Sequence, residues 1–325
     1  MSVGTAPAIH AVPASRRISL PAGVQHRQIY WRYALGVLFY HLVALLAFVP
    51  GFFSWTGLTI AVLGVYFFGS LGINLCYHRL LTHRSFACPK WFEHTLAVIG
   101  VCCLQDAPAR WVAVHRKHHH HSDEQADPHS PLVNFFWGHM GWLMYENSEL
   151  DRLAVYQRYA RDLLRDPFYK MLERHFFWIV LASWPVFFAG GFLGGILQGD
   201  TLGQSLRSGG IILLWGVFVR TVLVWHITWS VNSLAHVSGY RNFSTDDDSR
   251  NNVLVALLTV GEGWHNNHHA DPGAASCAHR WWELDGIYFV IRGLAAVGLV
   301  TNIVDRKPAA PGVSSPLPRD VAPID

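Results

Sequence analysis

Trp111-Val-Ala-Val-His115-Arg-Lys-His-His-His-His121 carries five histidines in its last seven residues. On a helix His115, His118 and His119 stand at i, i+3 and i+4 and share one face. Neutral imidazole is the commonest protein metal ligand, although a solvated basic run would be the plainer reading if the stretch stood alone. It has company in His78-Arg-Leu-Leu-Thr-His83, Asn232-Ser-Leu-Ala-His236 and His265-Asn-Asn-His-His269. Positions i and i+5 do not share an α-helical face, so His78 is expected on a helix end and His83 on the turn after it. Asn232 and His236 align at i, i+4, and His265, His268 and His269 repeat the i, i+3, i+4 pattern. The two H-x-x-H-H patterns, with H-x-x-x-x-H and N-x-x-x-H, supply nine imidazoles and an amide. One ion seldom takes more than about six ligands, so the set implies two ions, and nitrogen donors suit Fe, Zn, Cu or Ni.

The residues between these stretches set the fold. Half of the 325 residues are hydrophobic (51%), only 14% are charged, and 14 are tryptophan, a composition that belongs to a polytopic membrane protein. A net charge of +3 argues against a nucleic-acid partner. Cys76, Cys88, Cys102, Cys103 and Cys277 form no C-x-x-C pair and are expected as reduced thiols. No Asp, Glu, Lys or Arg occurs from Tyr33 to His78, which is room for two spans of about 20 residues each. The expected spans are 33–53, 58–77, 175–199 and 208–234, with Tyr30, Trp31 and Tyr33 as an interfacial anchor beside Arg27 and Arg32. Leu96–Leu104 and Phe135–Met144 are too short to cross and are expected as buried or interfacial helices, and Ile287–Ile303 as an amphipathic one. Arg220 interrupts the fourth span. A lipid-facing Arg there would cost roughly 2.5–3.5 kcal/mol, so it should turn inward or lie near an interface. Residues 1–28 and 306–325, rich in Ala, Pro and Ser, are expected as disordered tails around one all-α membrane domain at 29–305.

Arg79, Arg84, Lys90, Arg110, Arg116, Lys117 and further cations through Arg174 lie between the second and third spans, whereas the loops on the other side carry only Arg207. The positive-inside rule places that section and both termini in the cytoplasm. The four histidine stretches then fall on one side of a four-span protein. The excess of Arg over Lys points to a GC-rich genome, and so to a bacterial inner membrane.

The stretches H-R-L-L-T-H, H-R-K-H-H, W-S-V-N-S-L-A-H and G-E-G-W-H-N-N-H-H, with D-P-H-S-P at 127–131, resemble the histidine boxes of membrane fatty acyl desaturases, in particular the stearoyl-CoA (delta-9 acyl) branch. The resemblance covers about Tyr33 to Trp282. It implies a di-iron centre held by His78, His83, His115, His118, His119, His236, His265, His268 and His269, with Asn232 reaching the metal through water and a helical cytoplasmic cap around it. His120 and His121 exceed the pattern, and Asn267 stands where the family often has an aromatic. The implied reaction uses O2 and two electrons to place a cis double bond at carbon 9 of a long saturated chain carried on CoA, on acyl carrier protein or in a membrane lipid. Removing hydrogens from an unactivated chain needs a redox-active metal, which zinc is not. Glu262-Gly-Trp-His265 is the one Glu-x-x-His spacing at these boxes, so a carboxylate-bridged site of the soluble kind is disfavoured. Neither a Gly-rich dinucleotide fingerprint nor H-P-G-G occurs, so electrons are expected from a separate ferredoxin or cytochrome b5-type protein with its reductase.

Other signals have plainer readings beside the functional one. His226, Thr228 and Trp229 are candidates for the acyl tunnel, yet aromatics in a span more often pack or anchor. Asp123, Glu124 and Asp127 either orient ligating imidazoles or form a solvated acidic turn. Arg158, Arg161 and Arg165 share a face that suits a phosphate or, more simply, the cytoplasmic leaflet. The rival functions are a lipid hydroxylase on the same scaffold and a histidine-rich metal transporter. The transporter would need ionisable residues along its spans, and only Arg220, which repels cations, is there.

Overall fold

The computed structural model describes residues 16–150 and 152–305. Among the described residues four helices are long and apolar enough to cross a membrane: Trp31–Phe48, Trp55–Thr82, Pro167–Leu197 and Leu202–Val237. The first stops short of residue 53 because Pro50 drives Val49 into an extended conformation (φ −77°, ψ 127°). The third starts eight residues before 175. Asp166 caps it, its Oδ1 accepting from Phe168 N at 2.9 Å. A capping box between Thr201 and Gln204 opens the fourth.

The second span changes character along its length. Trp55–Gly64 is α-helical, and Val65–Thr82 is a π-helix that ends when His83 N donates to His78 O at 3.2 Å. Leu214–Val219 is a second π-helical stretch, inside the fourth span. Arg220 follows it and faces inward. Its Nε donates to Gly216 O at 2.8 Å, its Nη2 to Cys102 O at 3.0 Å, and its guanidinium lies 4.2 Å from the Phe68 ring centroid.

Helices at the end shared by the second span's C-terminus and the third's N-terminus build a cap. They include Lys90–Val101, Pro108–His120, Phe135–His139, Arg152–Tyr159, Val253–Thr259 and His265–Ala270. Gly286–Ala296 is one-sided, burying Ile287 and Ile291 and exposing Phe289 and Val290. Buried ion pairs brace the cap: Arg79 with Glu262 and Asp285, Arg116 with Asp162, and Lys117 with Glu149. All five cysteines are free thiols.

One element departs from the all-α expectation. Val24–Ile29 and Tyr145–Asn147 pair as a two-stranded antiparallel sheet. All of the first strand but Ile29 falls within the expected N-terminal tail, because its composition is polar and its partner lies more than a hundred residues away. Arg16 is tied to Asp248 at 2.5 Å. The expected disorder of 1–15 and 306–325 lies outside the described residues.

Candidate metal centre

Nine imidazoles from four stretches converge in the cap, in two groups. His78, His83, His115, His119 and His268 form one, and His118, His236, His265 and His269 the other. Within each group the ligand atoms lie within 4.8 Å of one another. Helix geometry explains the division. Successive residues advance about 100°, so i+4 falls roughly 40° ahead of i and i+3 roughly 60° behind it. On Pro108–His120 the i, i+4 pair His115 and His119 serves the first group and His118 reaches across to the second. On His265–Ala270 the roles reverse, with His265 and His269 in the second group and His268 crossing to the first.

His78 and His83, which an α-helix would point apart, come together because the π-helix makes i and i+5 neighbours. Their ring centroids are 4.8 Å apart. His120 and His121 do not join. His120 is exposed against His121 and Tyr159, and His121 Nδ1 lies 3.1 Å from Glu124 Oε2.

Four carboxylates surround the imidazoles, one at each of four Nδ1 atoms. Asp127 Oδ2 accepts from His118 at 2.9 Å, Asp123 Oδ2 from His236 at 2.8 Å and Asp247 Oδ2 from His269 at 2.5 Å. Glu262 Oε2 lies 2.8 Å from His78 Nδ1, while its Oε1 takes Arg79. Each carboxylate is itself fixed: Asp127 by the backbone of Asp123 and His129, Asp123 by Ser130 and the Asp248 backbone, Asp247 by Thr245 and Ser249. This resolves the sequence alternatives: Asp123 and Asp127 orient imidazoles, and Glu124 is solvated. Asp247 and Glu262 were not foreseen as orienting groups.

A carboxylate at Nδ1 selects the tautomer with its proton there and leaves the Nε2 lone pair facing inward. Those lone pairs crowd. His78 Nε2 is 3.1 Å from His268 Nε2, His268 Nε2 is 3.0 Å from His119 Nε2, and His236 Nε2 is 3.0 Å from His265 Nε2. His83 Nε2, His118 Nε2 and His269 Nε2 are buried with no hydrogen-bond partner. Inward-facing lone pairs in a buried nest fit two cations and fit little else. The third combination of His118, Asp127 and His129 shares His118 through its Nδ1 side, so it belongs to this orienting layer.

Electrostatics agree. Burial, followed by neighbouring imidazoles, pushes His83, His115, His119, His265 and His268 well below the usual histidine range, so they stay neutral and ready to ligate. Burial alone would raise Glu262, but Arg79 and then His78 hold it down to about 2. Asp127 and Asp247 are likewise held low against burial by His118 and His269.

A cavity of about 460 Å³ reaches from His78, His115 and His265 into the spans, between Val37 and Tyr40 of the first, Val180 and Trp184 of the third, and Trp225 and Trp229 of the fourth. Thr228 and Asn232 line it, and Asn232 sits one turn before His236 on the same face. His226 does not; its ring turns toward His41 and His139. Tyr30, Arg32, Tyr33, Phe176 and Phe177 also line the cavity, and two of its lining residues, Phe39 and Phe177, are exposed.

Residues 53–296 match the family model described as fatty acid desaturase. The chain is 42% identical over 276 residues to the sn-1 stearoyl-lipid 9-desaturase of Anabaena variabilis, covering 85% of this chain and 94% of that protein. It is 40% identical over 279 residues to the sn-2 palmitoyl-lipid 9-desaturase of Nostoc sp. (strain 36), covering 83% and 88%. The Acyl-CoA C20 Delta5-desaturase of Anemone leveillei is 37% identical over 263 residues, covering 81% and 78%.

Proposed function

The chain belongs to the fatty acid desaturase family, and from that premise we propose that it is a di-iron enzyme placing a cis double bond at carbon 9 of a saturated chain still esterified in a membrane lipid. His78, His83, His115, His119 and His268 would hold one iron and His118, His236, His265 and His269 the other, with Asn232 as a tenth, water-mediated contact. Two irons, when bound, supply the O2-activating redox chemistry that an unactivated alkyl chain requires. The protein's own part is to orient nine imidazoles through Asp123, Asp127, Asp247 and Glu262, and to hold the chain in an apolar, water-poor cavity beside them. Electrons would come from a separate ferredoxin or cytochrome b5-type protein, and the cap would face the cytoplasm of a bacterial cell.

The observation that carries this reading is the convergence of Nε2 lone pairs at the inner end of a cavity lined by all four spans. Membrane lipid is favoured over CoA or carrier protein because Phe39 and Phe177, which line the cavity, are exposed on spans, where lipid would be, and because relatives 40% and 42% identical are named for acyl-lipids. The test is expression in a host lacking unsaturated acyl chains, with lipid classes and double-bond positions profiled separately. Delta-9 chains appearing first in intact glycerolipid are expected; appearance first in acyl-CoA would overturn the carrier, and hydroxylated chains the reaction.

A further inference from the structure

Three further imidazoles line up outside the nine. His41 of the first span, His226 of the fourth and His139 of the helix Phe135–His139 form one chain. His41 Nε2 lies 2.9 Å from His226 Nε2, and His226 Nδ1 lies 2.9 Å from His139 Nε2. Both ends are anchored. His41 Nδ1 donates to Val37 O at 2.7 Å, and His139 Nδ1 lies 2.9 Å from Ser233 Oγ, which is also 2.9 Å from Trp229 O. Among the described residues no carboxylate or cation contacts the three rings. Their titratable neighbours are one another, with Tyr40 beyond the Trp225 ring; the remaining contacts are Trp225, Trp229 and Phe135.

The chain contains four bonds, and three neutral imidazoles together with the Ser233 hydroxyl supply four hydrogens. With Ser233 Oγ donating to His139 Nδ1, each ring passes one N–H along the chain and Val37 O accepts the last, so the clasp is fully bonded without charge. Burial, then His226, pushes the His139 ring down to about 4. The first-span end closes on a main-chain carbonyl that cannot pass a proton on, so the chain is a clasp and not a relay.

What the clasp joins is the two sides of the acyl cavity. Trp225, Trp229, Asn232 and His236 follow one another at i, i+4, i+7 and i+11 on the fourth span, the first three lining the cavity and the last in the metal cluster. His226 and Ser233 lie on the adjoining face. On the first span Val37 and Tyr40 line the opposite side, and His41 is the next residue. We propose that His41, His226 and His139 are positioning residues: their hydrogen-bonded clasp sets the spacing between the first and fourth spans and thereby which carbon of the chain rests against the metal cluster. The proposal rests on the desaturase reading.

The test compares wild type with His226→Leu, which removes both inner links, and His41→Gln, whose amide offers two N–H donors without charge. Double-bond positions are read by mass spectrometry of derivatised acyl chains, and metal content is measured on the purified proteins. His226→Leu should keep its metal and raise off-position isomers on the order of tenfold, since small misplacements are costly at reacting atoms. His41→Gln, which keeps the links, should stay near the wild-type isomer pattern, whereas His41→Leu, which breaks them at the first span, should reproduce the isomers of His226→Leu. An unchanged pattern in metal-loaded His226→Leu or His41→Leu, or a His41→Gln pattern equal to that of His41→Leu, overturns the clasp. If His226→Leu fails to hold metal, the two His41 variants decide. A wild type that makes no double bonds refutes the desaturase reading instead.

Discussion

Glu262 shows how much a single side chain carries here. Its two oxygens face different partners, the Arg79 guanidinium and His78 Nδ1, and both need an acceptor. Glu262→Gln retains one acceptor and turns an N–H toward the other partner, leaving a buried group unpaired. Loss of an orienting partner typically costs about 10–100-fold in metal affinity, and chelator competition on the purified variant should show a fall of that order. The ligand set itself predicts that His118→Ala and His268→Ala abolish double-bond formation while His120→Ala, on an exposed ring, stays near wild type; equal fatty-acid profiles for all three would remove the assignment. Six of the nine converging imidazoles could be read from i, i+3, i+4 spacing, and His78, His83 and His236 from their resemblance to the family's boxes. Asp247 could not, because Thr245-Asp-Asp-Asp-Ser249 looks like a solvated turn and its partner, His269, lies 22 residues further on. Asn267, noted only as a departure from the usual aromatic, is a hub. Its Oδ1 accepts from Asn242 and Asn251, and its Nδ2 donates to Cys277 O and Glu283.

Secondary structure contributes through its irregularities. A spacing of five residues says nothing about ligation on an α-helix, and only the π-helical geometry of Val65–Thr82 turns His78 and His83 into a pair. Sequence periodicity does not distinguish the two helix types in a uniformly apolar span, so this device was invisible. The turn before the last box is equally particular. Val260 is left-handed (φ 61°), a costly conformation for a β-branched residue, and Gly261 follows at φ 134°. A Cβ on Gly263 would overlap the Ala256 backbone nitrogen. Gly263→Ala must therefore push the helix Val253–Thr259 away from the box, at about 1–3 kcal/mol for overpacking. A lowered thermal midpoint in detergent, with reduced metal occupancy, is the expected outcome.

Taken as one object, the protein uses the cations of its cap differently from what loop counting suggests. Arg79, Arg116 and Lys117 count toward the positive-inside bias, yet each is buried against a carboxylate as a strut of the cap. The four spans were readable because hydropathy reports them directly; the Val24–Ile29 strand was not, because its pairing is non-local and its residues are polar. Neutral buried imidazoles also make the assembly acid-sensitive. The lowered histidines bind protons only in the unfolded chain between about pH 6.5 and their folded values, so the unfolded state holds more protons there and stability falls as pH drops. Glu262, lowered from 4.5 to about 2, adds a second loss across that lower window. Melts of metal-free protein from pH 8 to 5 should decline steadily below about 6.5, and a flat profile would contradict the burial of neutral rings.

The exchange of donors between the helices Pro108–His120 and His265–Ala270 bears on how the protein is made. Of the five imidazoles at the first position, four are synthesised before residue 120, whereas the second position possesses only His118 and His236 until the final box emerges. A nascent chain thus owns most of one nest while the other is half built. Ribosome-arrested chains ending near residue 260 should retain at most one metal per polypeptide by elemental analysis, and completing the pair should wait for His265–His269 to leave the exit tunnel.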